Sequence, residues 1–313
     1  MYSIGVDIGG MSIKVGIVDE TGNIIVKCVK ETECDVEKCV DNIYEQIMTV
    51  INDSHIEISQ IRGVGIGCPG SVDRDTNTIG FLPNLGWNNV PIAELLSKKI
   101  NLRICVGNDA SAAVLGEYIY GVAKGYNDAI MITLGTGVGG GFIVNKKLFE
   151  GGKGKGGEPG HVTLILGGEK CGCGRSGCIE SYVSASALIR QTKEAMLSNK
   201  HSKLWDAVDG DIEKVNGKTA FDMEDIDQTA KEIIDKYIMY LSESIMNLLN
   251  IFRPDIFIIG GGISKQGEKL TDRVTEYCKR FNYGYSGSPA TKIVPASLGN
   301  DAGIIGAAAL LDV

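Results

Sequence analysis

Two stretches far apart in this chain follow the same pattern of apolar run, glycine turn and second apolar run. The first is YSIGVDIGGMSIKVGIVDE, which turns at Gly9-Gly10. The second begins at Asp128 to Leu134, breaks at GTGVGGG and resumes at Phe142-Ile143-Val144. Short apolar runs bounded by glycine predict buried strands, and the glycine turns make each pair a hairpin. Aligning Gly9 with Gly135 matches strand, turn and strand in both copies, which points to an internal duplication with one copy in each of two domains.

The remaining patterns predict an α/β chain. A third strand after Thr21-Gly22-Asn23 completes an antiparallel meander. Residues 35 to 54 carry Val36, Val40, Ile43, Ile47, Val50 and Ile51 at helical spacing, and Gly63 to Gly67 form a short buried strand. Another strand at 103 to 106 ends at Asn108-Asp109, with a helix expected from Ala110 to Tyr120. Helical spacing returns from Ala230 to Ile251. A buried strand in PDIFIIGGGIS, a helix near 265 to 280, a strand around Lys292 to Val294 and a final apolar helix follow. The charged tract from Asn199 to Asp227 has weak periodicity and is expected to cover a surface. At 313 residues, the chain is long enough for two ordinary cores.

Composition narrows the class of function. With 43% apolar and 22% charged residues, and no apolar run approaching the roughly 18 residues of a membrane span, a soluble protein without membrane attachment is expected. The start MYSIGVDIGG lacks the basic and apolar regions of a signal peptide. Nine cysteines, six of them scattered (Cys28, Cys34, Cys39, Cys68, Cys105 and Cys278), suit reduced thiols in the cytoplasm. A net charge of -8 offers no basic surface for nucleic acid.

The glycine turns are where phosphate chemistry is expected. At Asp7-Ile8-Gly9-Gly10, with Ser12 and Lys14 beyond, backbone N–H groups can approach phosphate oxygens and an aspartate can hold magnesium through water; an ordinary tight hairpin is the alternative. The run from Gly135, Thr136 and Gly137 to Gly141 is a stronger cradle. It lacks the Gly-Lys-Ser/Thr ending of a P-loop, and the strand after it argues against a Rossmann crossover. Gly260-Gly261-Gly262 is a third turn, suited to a base or ribose lying against backbone. The duplicated unit is therefore expected to handle a nucleotide.

Two further constellations carry chemistry. Asp109, at a strand–helix junction, is either an N-cap or a general base for phosphoryl transfer. His161, Cys171, Cys173 and Cys178 give H-x9-C-x-C-x4-C, a closed four-ligand set suited to structural zinc, with chance clustering as the alternative. Glu158 and Glu180, taken alone, read as solvated carboxylates.

Together, DIGGMSIK, GIGCPGSVD, PNLGW, GND, LGTGVGGG, EPGH and CGCGRSGCIE resemble the ROK family of sugar kinases and repressors, in the actin, hexokinase and heat-shock-protein superfamily. The resemblance covers nearly the whole chain. It implies a two-domain actin-like ATPase (ribonuclease H-like) α/β fold with mixed sheets and an interdomain cleft. A small domain would hold residues 1–109 and 300–313, and a large one 110–299 with the zinc loop. It implies an ATP- and Mg2+-dependent hexose kinase acting on the 6-hydroxyl of glucose, with Asp109 as base. Asn84, Asn108, Asp109, Glu158, His161 and Glu180 would bind sugar. Asp7, Gly9, Gly10, Ser12, Lys14, Gly135, Thr136, Gly137, Gly260, Gly261 and Gly262 would serve the nucleotide and its magnesium. The alternatives are N-acetylmannosamine, N-acetylglucosamine, fructose or allose as substrate, or a catalytically silent sugar sensor. The lack of a winged-helix segment before DIGG favours the kinase branch, and a homodimer or higher homo-oligomer is expected. Two positions depart from the family pattern: Met11 stands where threonine is usual, and Pro159 where an aliphatic residue is usual.

Overall fold

The computed structural model describes residues 1–281, 283 and 290–313. Thirteen strands and ten α-helices are described. In chain order they are β1 (Tyr2–Ile8), β2 (Ser12–Val18), β3 (Ile24–Glu31), α1 (Val36–Ser54), β4 (Ile61–Cys68), β5 (Ser71–Asp73), β6 (Thr78–Leu82), β7 (Trp87–Val90), α2 (Ile92–Ser97), β8 (Ile104–Asn108) and α3 (Asp109–Ile119). Then come β9 (Ala129–Leu134), β10 (Val138–Val144), β11 (Lys147–Leu148), α4 (Glu180–Val183), α5 (Ala185–Ser198), α6 (Leu204–Ala207), α7 (Thr219–Met223), α8 (Gln228–Phe252), β12 (Ile256–Gly260), α9 (Glu268–Phe281), β13 (Lys292–Pro295) and α10 (Ala302–Ala309). No described helix is long and apolar enough to cross a membrane.

The two five-stranded sheets share one topology. One runs β3-β2-β1-β4-β8 and the other β11-β10-β9-β12-β13, so each follows the order third, second, first, fourth, fifth. In the first, β1, β2 and β3 are antiparallel neighbours, while β4 is parallel to β1 and β8 to β4. In the second, β10 and β11 pair antiparallel and β12 and β13 parallel. The duplication read from the two glycine turns is thus carried through whole sheets.

Met1–Met131, Gly141–Gly157 and Ser297–Val313 form one compact unit, and Ile132–Gly140 with Glu158–Ala296 a second. These bounds differ from the expected division at residue 109, because α3 stays with the first unit. It packs against α10 and carries Glu117, a fully buried carboxylate. It accepts hydrogen bonds from the Ser297 N–H at 2.7 Å, the Ser297 hydroxyl at 2.8 Å and the Leu298 N–H at 2.8 Å, tying the lead-in to α10 onto α3.

In the first unit, α1 forms where its sequence predicts. Asp35 accepts the Lys38 N–H as its N-cap, and Val40, Ile43, Ile47, Val50 and Ile51 bury one stripe against β2 and β3. Each fully buried isoleucine contributes roughly 1.5–3 kcal/mol relative to exposure. On β1 and β4 lies α10, and the approach is backbone to backbone. A Cβ on Gly5 would fall 1.9 Å from the Ile304 carbonyl oxygen, and one on Gly65 would fall 1.8 Å from that of Ala307. Glycine in mid-strand usually weakens a strand; here it is what lets the terminal helix seat. The small antiparallel sheet β5-β6-β7 adds Val72, Ile79, Leu82 and Trp87 to the core beneath α1.

In the second unit, α8 buries Ile234, Tyr237, Leu241, Ile245 and Leu249 along one stripe and packs against α5, α7 and α9. The expectation for residues 199–227 is corrected here. Leu204, Val208, Val215 and Phe221 are all buried, and Asp227, also buried, caps α8 while accepting from Ser202 and Lys203. Its helices, α6 and α7, have four and five residues, too few for a 3.6-residue period to show.

Candidate active site and metal centre

The first glycine turn joins β1 to β2 and is closed by the Gly9 N–H donating to the Ser12 carbonyl at 2.9 Å. At its base, Lys14 Nζ donates to Asp7 Oδ2 at 3.2 Å, both side chains partly buried. Ser12 is the first residue of β2, and Met11 stands at the tip, 88% exposed.

The strand–helix junction shows which residue caps α3. The N-cap of α3 is Asn108, whose Oδ1 accepts the N–H groups of Ala110 at 2.9 Å and Ser111 at 3.1 Å. Its Nδ2 donates to the Gly70 carbonyl at 3.1 Å. Asp109 is then the first helical residue, half-buried, with Oδ1 2.8 Å from the Ala110 nitrogen. Capping therefore falls on the neighbour. Asn84 is exposed in a short 3-10 turn, Pro83–Leu85, between β6 and β7.

The second glycine turn is shorter than its sequence suggests, because β10 already starts at Val138. Gly135 and Gly137 close it, with the Gly135 N–H donating to the Gly137 carbonyl at 3.0 Å, and the Ala185 N–H holds the Gly135 carbonyl at 2.8 Å; Thr136 is exposed between them. Gly141 belongs to the strand, and its missing side chain makes room for α3: a Cβ there would fall 2.5 Å from Val114. At the third turn, Gly260 ends β12 and Gly262 opens a 3-10 helix. Between them Gly261 has φ +82°, and a Cβ there would fall about 2.5 Å from the Leu134 backbone, so glycine serves both the turn and its seating on β9.

His161, Cys171, Cys173 and Cys178 converge with their ligand atoms within 4.8 Å of one another. Cys173 and Cys178 sulfurs are 3.7 Å apart, as are Cys171 Sγ and His161 Nδ1. Zn–S bonds near 2.3 Å place the sulfurs of a regular tetrahedron about 3.8 Å apart, so the spacing and the donor set fit zinc. The backbone N–H of Arg175 holds the Cys173 thiol below its ordinary value, while burial pushes Cys171 up to about 12 and also raises Cys178. Arg175, a residue that the cysteine spacing did not single out, donates to the His161 carbonyl at 3.0 Å and the Thr163 hydroxyl at 2.8 Å. The hydroxyl of Tyr182 accepts the Glu169 N–H at 2.7 Å. Only the folded hairpin brings these partners together.

Glu180 links this cluster to the second glycine turn. Its Oε2 accepts the Val138 N–H at 3.0 Å, and its Oε1 lies 3.4 Å from Cys171 Sγ. Glu158 precedes the 3-10 turn Pro159–His161. Desolvation of its carboxyl raises it above the usual range, His161 opposing and Glu180 adding to the effect; the residue itself is exposed, so solvent screens the shift.

Two sheets of one topology, each with a glycine-turned first hairpin, define a two-domain α/β protein of the actin-like ATPase class. Within that class the chain belongs to the ROK family, whose sequence profile matches residues 3–313. It is 37% identical to a glucokinase of Thermotoga maritima and 36% identical to a glucokinase of Streptomyces coelicolor, each over 317 residues covering 98% of this chain and 96% of the relative. A crystal structure of a ROK family glucokinase from Streptomyces griseus in complex with glucose and AMPPNP superposes with a TM-score of 0.86 at 34% identity, covering 99% of both chains.

Proposed function

We propose that this chain is an ATP-dependent glucokinase that transfers the γ-phosphoryl group of ATP to the 6-hydroxyl of glucose. The observation that carries it is the near full-length likeness to glucokinases, one of them solved with glucose and an ATP analogue. Asp109 takes the hydroxyl proton, in a role where placement matters more than basicity because the transition state is loose. The rigid start of α3, capped by Asn108, supplies that placement. Asn84, Asn108, Glu158, His161 and Glu180 bind the sugar hydroxyls, carboxylates being able to accept from neighbouring pairs.

On this reading the turns at Gly9-Gly10 and Gly135-Gly137 present backbone N–H groups to phosphate oxygens, with Ser12 and Lys14 beside the first. The turn at Gly260-Gly262 lies against the base or ribose. Asp7 would hold magnesium brought with ATP, and the ion would supply charge neutralisation for the phosphates. His161, Cys171, Cys173 and Cys178 would hold a structural zinc, which would supply a rigid tie for the loop that carries Glu158 and Glu180. The chain works in the cytoplasm as a homodimer or higher homo-oligomer without a nucleic-acid partner; light scattering after gel filtration tests the assembly.

The decisive assay is ADP release from MgATP across a panel of hexoses and N-acetylhexosamines, with Asp109→Ala as control. Glucose-dependent turnover absent in the control is expected. Turnover with another sugar only would move the substrate, and no turnover in zinc-loaded, folded protein would overturn the kinase reading.

A further inference from the structure

The first glycine turn is held from behind by a residue outside the sequence motif. Thr32, just beyond β3, makes two hydrogen bonds to it: its N–H donates to the Met11 carbonyl at 3.1 Å, and its hydroxyl donates to the Gly9 carbonyl at 2.7 Å. The first continues the β2–β3 ladder by one pair beyond Ser12 and Glu31 and would arise at any strand end. The second is a side-chain contact that the ladder does not require.

That contact fixes more than a carbonyl. In a planar trans peptide the C=O and N–H point in opposite directions, so holding the Gly9 carbonyl toward Thr32 directs the Gly10 N–H away from it. Gly10 is exposed, and a Cβ built on it would meet nothing within 4 Å. The Gly10 N–H, on an exposed residue, is thus held pointing away from Thr32 in a set orientation. Thr32 is itself braced, since Asn42 on α1 donates to the carbonyl of the preceding Glu31 at 3.0 Å. Two consecutive glycines otherwise leave this backbone the widest choice of conformations, and ordering them costs more than for any other residue.

We propose that Thr32 is a positioning residue for the nucleotide: its hydroxyl orients the Gly9–Gly10 peptide so that the Gly10 N–H is aimed at a phosphate oxygen before ATP arrives. The proposal rests on the kinase reading above and adds to it a residue that touches neither substrate. The hydroxyl lowers the entropy lost when phosphate binds, so its removal weakens nucleotide binding and leaves sugar binding alone.

The test compares wild type with Thr32→Val and Thr32→Ser in steady-state kinetics with MgATP and glucose, alongside thermal unfolding. The valine variant should raise the KM for ATP about 5- to 10-fold, the worth of one neutral hydrogen bond, with the KM for glucose and kcat at saturating ATP unchanged. The serine variant, which keeps the hydroxyl, should restore the KM for ATP. An unchanged KM for ATP, an equal rise in the KM for glucose, or failure of serine to restore would overturn the proposal. If valine prevents folding, Thr32→Ala carries the same comparison. If wild type shows no sugar-dependent ADP release, the kinase reading fails, and calorimetric titration with MgAMPPNP decides the role of Thr32 separately. Weaker binding by the valine variant would support it; equal binding, or none by wild type, would overturn it.

Discussion

Glu180 accepts the Val138 N–H at 3.0 Å, in space that the missing side chain of Gly137 leaves open. A Cβ on Gly137 would fall 2.5 Å from Glu180 Oε2. Gly137→Ala should therefore displace the carboxylate from the second glycine turn, moving a proposed sugar ligand and a proposed phosphate turn together. Misplacement on this scale commonly costs about 100-fold in rate. Steady-state kinetics should show kcat/KM falling by that order for glucose and for ATP. A loss confined to one substrate would separate the turn from Glu180.

Asn108 and Asp109 offer a contrast within one dipeptide. Asp109→Asn, which keeps shape and removes the base, should lower kcat about 100- to 10,000-fold and leave the thermal midpoint close to wild type. Asn108→Ala removes the α3 cap and should cost about 1 kcal/mol of stability, measured by urea unfolding. A wild-type kcat in the Asp109 variant would remove it from the chemistry.

The dipeptide also shows where sequence reading stops. Asn and Asp are both good caps, so spacing alone could not assign the duty; the hydrogen bonds from Asn108 to Ala110 and Ser111 assign it. The α1 helix was legible because its apolar residues recur at helical spacing from Val36 to Ile51, and the metal set because four ligand residues crowd one short segment. The role of Gly5 and Gly65 was not, since the helix that demands them, α10, lies more than 200 residues away in the chain. Thr32, Arg175 and Tyr182 escaped for a different reason: their partners are nearer in the chain, but the contacts are single side-chain hydrogen bonds that no spacing pattern announces.

Metal content should follow the four-ligand set. Wild type grown with zinc is expected to carry one zinc per chain by elemental analysis, and Cys178→Ser to lose it. Because ligand binding is coupled to local order, chelation should raise hydrogen exchange across residues 161–178 and leave β1 and β4 protected. Retained zinc in the serine variant would place the metal elsewhere.

Glu158 predicts a pH dependence. Its folded-state pKa is raised above 4.5, chiefly by burial, so the protonated form is favoured by folding. The associated stability is present below the unfolded value and lost as pH rises through the raised one. Sugar binding runs the other way, since an ionised carboxylate accepts hydroxyl hydrogen bonds more strongly than the protonated form. Glucose affinity should weaken as pH falls through the raised pKa. Titration calorimetry should show this limb in wild type and its absence in Glu158→Gln. The same limb in both proteins would assign it to another group.

The seating of α10 makes the sharpest claim about stability. On Gly65 a Cβ would fall 1.8 Å from the Ala307 carbonyl oxygen, and on Gly10 a Cβ meets nothing within 4 Å. Both changes add one methyl group, so their effects on the unfolded chain are similar and the difference reports packing. Gly65→Ala must push α10 off β4, against a close-packed interior that yields little, and should cost about 3 kcal/mol or more. Gly10→Ala should change stability by no more than about 0.5 kcal/mol. Urea unfolding of the two variants beside wild type measures both. Equal stabilities would mean that α10 can rise from the sheet without loss, and that the glycines of β1 and β4 are there for some other reason than its close approach.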